Sequence, residues 1–117
     1  MGLDSFWKLP KRKKKPVFEP ELMLCGGMLS GHGNGSFRGK VYDHLIESVT
    51  GVSLYQEEID DETVCLMADA LDANPYDTLP EEWTDGDYGN VAADEYHDLQ
   101  RMFRAFADKG ATLHGWW

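Results

Sequence analysis

The chain has 117 residues, 42% of them apolar, two cysteines and a formal net charge of −10; this suffices for one domain, residues 1–117, and leaves no room for a second. The charge is unevenly divided, for residues 1–15 hold six basic side chains against Asp4, whereas the remaining 102 hold five basic and twenty acidic ones. So acidic a body excludes a general nucleic-acid surface, which relies on Lys and Arg to neutralise phosphates, and no run of 18 apolar residues is present to cross a membrane as a helix.

"LDSFWKL", Leu3 to Leu9, alternates Leu3, Trp7 and Leu9 with Asp4, Phe6 and Lys8, the pattern of a strand with one buried face. "PKRKKKP", residues 10–16, follows. Its two prolines remove ladder donors and its five cations repel one another, so it reads as an exposed basic turn. At a hairpin tip such a turn also shields an edge strand from aggregation. "ELMLCGGML", residues 21–29, is a short apolar run that predicts a second, buried strand.

From Gly39 the period lengthens. Val41, Leu45, Ile46 and Val49 form a helical stripe, and Gly51 is placed to end that helix in a left-handed conformation. "VSLYQEEI", residues 52–59, returns to alternation and predicts a strand. "DDETVCLMADALDAN", residues 60–74, puts acids at a helix start, where they meet the positive end of the dipole, ahead of Val64, Met67 and Leu71. Residues 74–90, rich in proline, glycine and acids, read as a long acidic loop. Asn90 is the candidate cap of the last helix, in which Tyr96, Leu99, Phe103 and Phe106 share a face, with Gly110 after Lys109 as its stop. "ATLHGWW" predicts a closing strand. The expected fold is therefore α+β, a small, mostly antiparallel sheet with about three helices on one face.

The chemistry concentrates in "GGMLSGHGNGSFRGK", Gly26 to Lys40, which holds six glycines, Arg38 and Lys40 and leads into a helix. Glycines admit positive φ and close approach of a ligand to the main chain, successive N–H groups form concave anion sites, and a helix start adds its dipole. The candidate ligand-binding residues are Gly31, His32, Gly33, Asn34, Gly35, Ser36, Arg38 and Lys40. The plainer alternative is a solvated glycine-rich turn. The run matches neither the P-loop nor the dinucleotide fingerprint, since only three residues separate Gly35 from Gly39 and Val41 follows Lys40.

His32, His44, His97 and His114 lack metal-ligand spacing, so no metal or other cofactor is assigned. No nucleophile elbow is present, and no catalytic residue is named. His32 alone stands where it would shuttle a proton, were the protein an enzyme acting on a phosphorylated substrate. Cys25 and Cys65, set among apolar neighbours, read as free thiols; with no signal segment after the basic start, the expected compartment is the cytoplasm.

Two functions follow. One is a small binding protein that captures a phosphorylated, nucleotide-like ligand at the glycine run and so sequesters a signalling nucleotide. The other is an acidic interaction protein, or nucleic-acid mimic, that inhibits a basic protein partner through Glu57–Glu62 and Asp77–Asp98, with Tyr76, Trp83 and Tyr88 as anchors. Small size also fits a homodimer, with Trp116 and Trp117 completing either a core or an interface.

Overall fold

The computed structural model describes residues 2–26, 35–86 and 89–117. In chain order the elements are β1 (Asp4–Lys8), β2 (Ser36–Phe37), α1 (Gly39–Thr50), α2 (Asp61–Ala73), a 3-10 turn (Tyr76–Thr78), α3 (Glu81–Thr84), β3 (Asp85–Gly86), β4 (Gly89–Asn90), α4 (Ala93–Asp108) and β5 (Thr112–Trp116). β1 is the central strand of an antiparallel sheet ordered β2-β1-β5, and β3 pairs with β4 in a second small sheet. The fold is α+β, with the helices against one face of the larger sheet.

The alternation in β1 decides which face that is. Leu3, Ser5 and Trp7 are buried towards the helices, while Asp4, Phe6 and Lys8 point the other way. Trp7 meets α4 there, lying parallel to Phe106 and edge-on to Phe103. The stripe predicted for α4 is the one observed: Tyr96, Leu99, Phe103 and Phe106 are all buried, joined by Met102. α1 buries Tyr42, Leu45 and Ile46 and ends at Gly51, whose φ of 78° is the left-handed conformation expected of it. α2 starts where its acids predicted, with the Asp60 carboxylate accepting the Thr63 N–H at 2.8 Å. Hydrogen bonding from the Thr63 side chain, and then from its N–H, holds the Asp60 carboxyl below its ordinary pKa.

Five expectations are corrected. Residues 21–26 are not a strand of the sheet. The segment buries Leu22 and Leu24, yet the N–H of Met23 donates to Asp98 Oδ2 and that of Cys25 to Tyr42 Oη, so side chains take the hydrogen bonds a neighbouring strand would have taken. Residues 52–59 likewise form no strand beyond a single bridge of Ile59 to Leu113, because Asp43 Oδ1 and Ser53 Oγ capture the amides of Leu54 and Tyr55. This segment still covers the outer edge of β5, where Gly115 N–H donates to the Gln56 carbonyl.

Residues 74–90 are not a plain loop, since they contain the 3-10 turn, α3 and the β3–β4 pair. Asn90 lies in β4 rather than capping α4; the cap position is Ala92, whose N–H reaches Glu95 Oε1 at 3.4 Å. Cys25, placed among apolar neighbours by the sequence, is exposed, and both cysteines are free. No helix among the described residues is long and apolar enough to cross a membrane.

Candidate functional site

The described residues on either side of the glycine run, up to Gly26 and from Gly35, are held together. The Arg38 N–H donates to the Cys25 carbonyl at 3.0 Å, and the Trp7 N–H donates to the Gly35 carbonyl at 2.8 Å. Gly26 has φ +83°, and a Cβ there would stand 2.9 Å from the Arg38 nitrogen, so both backbone conformation and space require glycine. Behind the stem runs a relay in which the Cys25 N–H donates to Tyr42 Oη, which donates in turn to Glu95 Oε2, both at 2.7 Å. Burial raises the Tyr42 pKa, with Glu95 adding to the rise and the Cys25 N–H opposing it, so the phenol keeps the proton it gives to Glu95.

Of the eight candidate ligand residues, Gly31, His32, Gly33 and Asn34 lie outside the described residues. Gly35 and Ser36 are buried, with the Gly35 carbonyl bound to Trp7 and Ser36 in the β2–β1 ladder. Arg38 and Lys40 are half-buried and flank the start of α1. The main-chain amides beside them are used within the fold: besides the Arg38 N–H, that of Lys40 donates to the Leu3 carbonyl at 3.1 Å and that of Val41 to the Arg38 carbonyl at 3.2 Å. What Arg38 and Lys40 have for an anion is therefore their side-chain charge.

The Arg38 side chain crosses to the outer face of the sheet, where Nε meets Asp4 Oδ1 at 3.0 Å with both side chains 40% exposed. There it lines a cavity of about 270 Å³ with Gly2, Asp4, Trp116 and Trp117. A second hollow, of about 240 Å³, lies beyond the tryptophans beside Glu57 and Gly115. Lys40 lines a third, of about 490 Å³, with Asp43, His44, Glu47 and Tyr55 among its walls. The first two hollows share Trp116 and Trp117; the third neighbours them, for the Lys40 side chain packs against Gly2 of the first, and Tyr55 of the third meets Trp117 edge-on at 5.6 Å.

The cross-strand register explains why these residues gather. Asp4 is opposite Trp116 and Phe6 opposite His114, so each pair shares the outer face, where the Phe6 and His114 rings stack at 5.3 Å. Sequence reasoning singled out Arg38 and Lys40 but left Trp116 and Trp117 between core and interface. Trp116 is 60% and Trp117 51% exposed. The Asp4 to Trp116 pairing, which joins the two ends of the chain, is a long-range contact that no local pattern announces.

The anchors proposed for a basic partner are less available. Tyr76 is half-buried, donates its hydroxyl to the Val91 carbonyl at 2.8 Å and packs beside Tyr96; Trp83 is half-buried against the core, and Tyr88 lies outside the described residues. Among the described residues, no group of three or more His, Cys, Asp or Glu side chains is arranged to hold a metal ion. His44 and His97 are exposed, and a ring nitrogen of His44 lies 2.8 Å from the Glu82 carbonyl oxygen. Comparison of the chain with protein-family models, with curated proteins and with solved structures finds no match.

Proposed function

We propose that this is a small binding protein that captures a phosphorylated, nucleotide-like ligand through Arg38 and Lys40 at the mouth of the glycine run. The observation that carries the reading is the grouping of these two cations around neighbouring open cavities on an otherwise acidic body. Of the other three cations outside the basic turn and the strand before it, Arg101 pairs with Asp98 and Arg104 with Asp69 and Asp72, both along α4, away from these cavities. In such surroundings an anion is drawn to the Arg38 and Lys40 side, and guanidinium and ammonium groups together suit phosphate oxygens.

Isothermal titration calorimetry tests it, with inorganic pyrophosphate, nucleoside mono- and diphosphates and cyclic dinucleotides as titrants. The expected result is saturable binding to at least one of them, weakened about tenfold or more by Arg38→Ala and by Lys40→Ala. Absence of heat with every titrant, or affinity untouched by Arg38→Ala, overturns the reading.

A further inference from the structure

We infer that Trp116 and Trp117 form a stacking platform for a planar aromatic base, which makes the ligand a nucleotide rather than a simple phosphate compound. The inference rests on the reading of Arg38 and Lys40 as the phosphate-binding cations and names what lies beside them. Two adjacent tryptophans line this cavity and are each more than half exposed, so each offers a large apolar face on which a flat ring can lie. Their placement is fixed from both sides. Trp116 is held in β5 opposite Asp4, and Trp117 leans edge-on against Tyr55.

The dimensions select the ligand. Pockets that enclose a whole drug-sized molecule span roughly 300–1,000 Å³, so the cavity of about 270 Å³ bounded by Gly2, Asp4, Arg38 and the two indoles takes one ring system. Gly2, without a side chain, lets the Lys40 stem pack against the main chain at the wall of that cavity. A base lying on the indoles thus has Arg38 at its edge, with Lys40 beyond Gly2 to receive phosphates. The Asp4 carboxylate, already facing the cavity, is an acceptor for an exocyclic amine. A phosphorylated sugar would engage the cations alone, whereas a nucleotide also engages the exposed indole faces. Because every base has a π-face, the platform alone discriminates weakly between bases.

Adenosine, adenosine 5′-diphosphate and inorganic pyrophosphate separate the two parts of the site. The diphosphate is expected to bind at least tenfold more tightly than pyrophosphate and to quench the emission of the exposed tryptophans, which pyrophosphate leaves unchanged. Trp116→Ala and Trp117→Ala should each weaken the diphosphate about tenfold or more while leaving pyrophosphate affinity within twofold. Trp116→Phe, which keeps an aromatic face, should recover much of the loss. Circular dichroism melts of the variants, unchanged for side chains so exposed, exclude misfolding as the cause. If the tryptophan variants weaken both ligands alike, or the nucleotide binds no better than pyrophosphate, the platform is refuted and the phosphate reading stands. If adenosine binds in a tryptophan-dependent way and pyrophosphate does not bind, the platform stands and the phosphate reading falls. Failure of all three probes overturns both.

Discussion

Trp7 lies flat on Phe106, ring centroids 4.5 Å apart and planes 3° from parallel, and this stack joins the central strand to the longest helix. Trp7 has no solvent exposure, and its indole Nε1 has no hydrogen-bond partner among the described residues. Truncation to alanine removes the stack and leaves a cavity, at a cost of about 3–5 kcal/mol, a large share of the roughly 5–15 kcal/mol typical of a domain. Trp7→Phe should cost less, about 1–2 kcal/mol, because the lost contact is partly offset by removal of an unpaired buried donor. Urea unfolding followed by circular dichroism measures both, and equal losses for the two variants would disprove the account of the indole nitrogen.

Ser5 predicts a gain instead. Its hydroxyl is fully buried beneath α1 and has no partner among the described residues, and it occupies the space that a side chain on Gly39 would need. Ser5→Ala removes an unsatisfied polar group without opening a sizeable cavity, so the midpoint of unfolding should rise, by about 1 kcal/mol of stability. Gly39→Ala should destabilise by about 1–3 kcal/mol, since the new methyl would collide with Ser5 Oγ and stand 3.0 Å from Leu3 Cδ2. Combined with Ser5→Gly, the same substitution should cost measurably less than the sum of the two single changes.

A third prediction concerns the strap between the basic turn and the glycine run. Asp98 is nearly buried on α4; one of its oxygens accepts the Met23 N–H at 2.8 Å and the other accepts from Arg101 Nη1 at 2.9 Å, while Arg101 Nη2 donates to the Pro20 carbonyl. The guanidinium also lies over the Phe18 ring. Asp98→Ala leaves the Arg101 guanidinium without its counter-ion and the Met23 N–H without an acceptor, a loss of about 2–3 kcal/mol. The strap should loosen first, so trypsin should cut the lysine-rich turn faster in this variant than in the wild type while α4 remains protected from hydrogen exchange. Unchanged cleavage kinetics would show that Asp98 does not hold the strap.

These interactions also mark what the sequence reveals and what it hides. β1, α1, α2, α4 and β5 are legible because each repeats its apolar residues at its own period over a long enough stretch, as Tyr96, Leu99, Phe103 and Phe106 do. Residues 21–26 carry the same alternation as a strand, but pairing depends on where the amides find acceptors, and Asp98 lies 75 positions from Met23. The two-residue β2 is invisible for the opposite reason, since Ser36 and Phe37 are too short a run to carry any period. In the site, the charge of Arg38 and Lys40 stands out locally in an acidic chain. The two tryptophans are brought beside them only by the pairing of β1 with β5.

Stability should fall on mild acidification because of His114. Burial, and then the nearby Lys8 ammonium, depress its pKa below the ordinary 6.5, opposed by Glu58, which lies 3.9 Å away. The ring stacks on Phe6 and shares a 2.8 Å hydrogen bond with Thr112 Oγ1. The unfolded chain therefore takes up the proton more readily than the folded one, so this contribution is present above about pH 6.5 and is lost as the pH falls through the lowered folded value. The melting temperature should drop between pH 7 and pH 5. His114→Gln, which cannot take up that proton, should show a smaller drop over the same range; an identical drop would assign the acid sensitivity to other groups.

The last prediction bears on ligand capture and follows from the partner Arg38 already has. A phosphate approaching the guanidinium must compete with the Asp4 carboxylate at 3.0 Å, and that carboxylate also repels the ligand directly. A half-exposed ion pair of this kind contributes about 0.2–1 kcal/mol, so its removal is tolerable for the fold. Asp4→Asn keeps the shape and the strand register while deleting the charge. It should raise pyrophosphate affinity by up to about fivefold, the factor that 1 kcal/mol represents. The gain should shrink in high salt, where exposed charges are screened. If Asp4 instead served to orient Arg38 for binding, the same substitution would weaken pyrophosphate, so the sign of the change decides whether the carboxylate competes with the ligand or positions the cation for it.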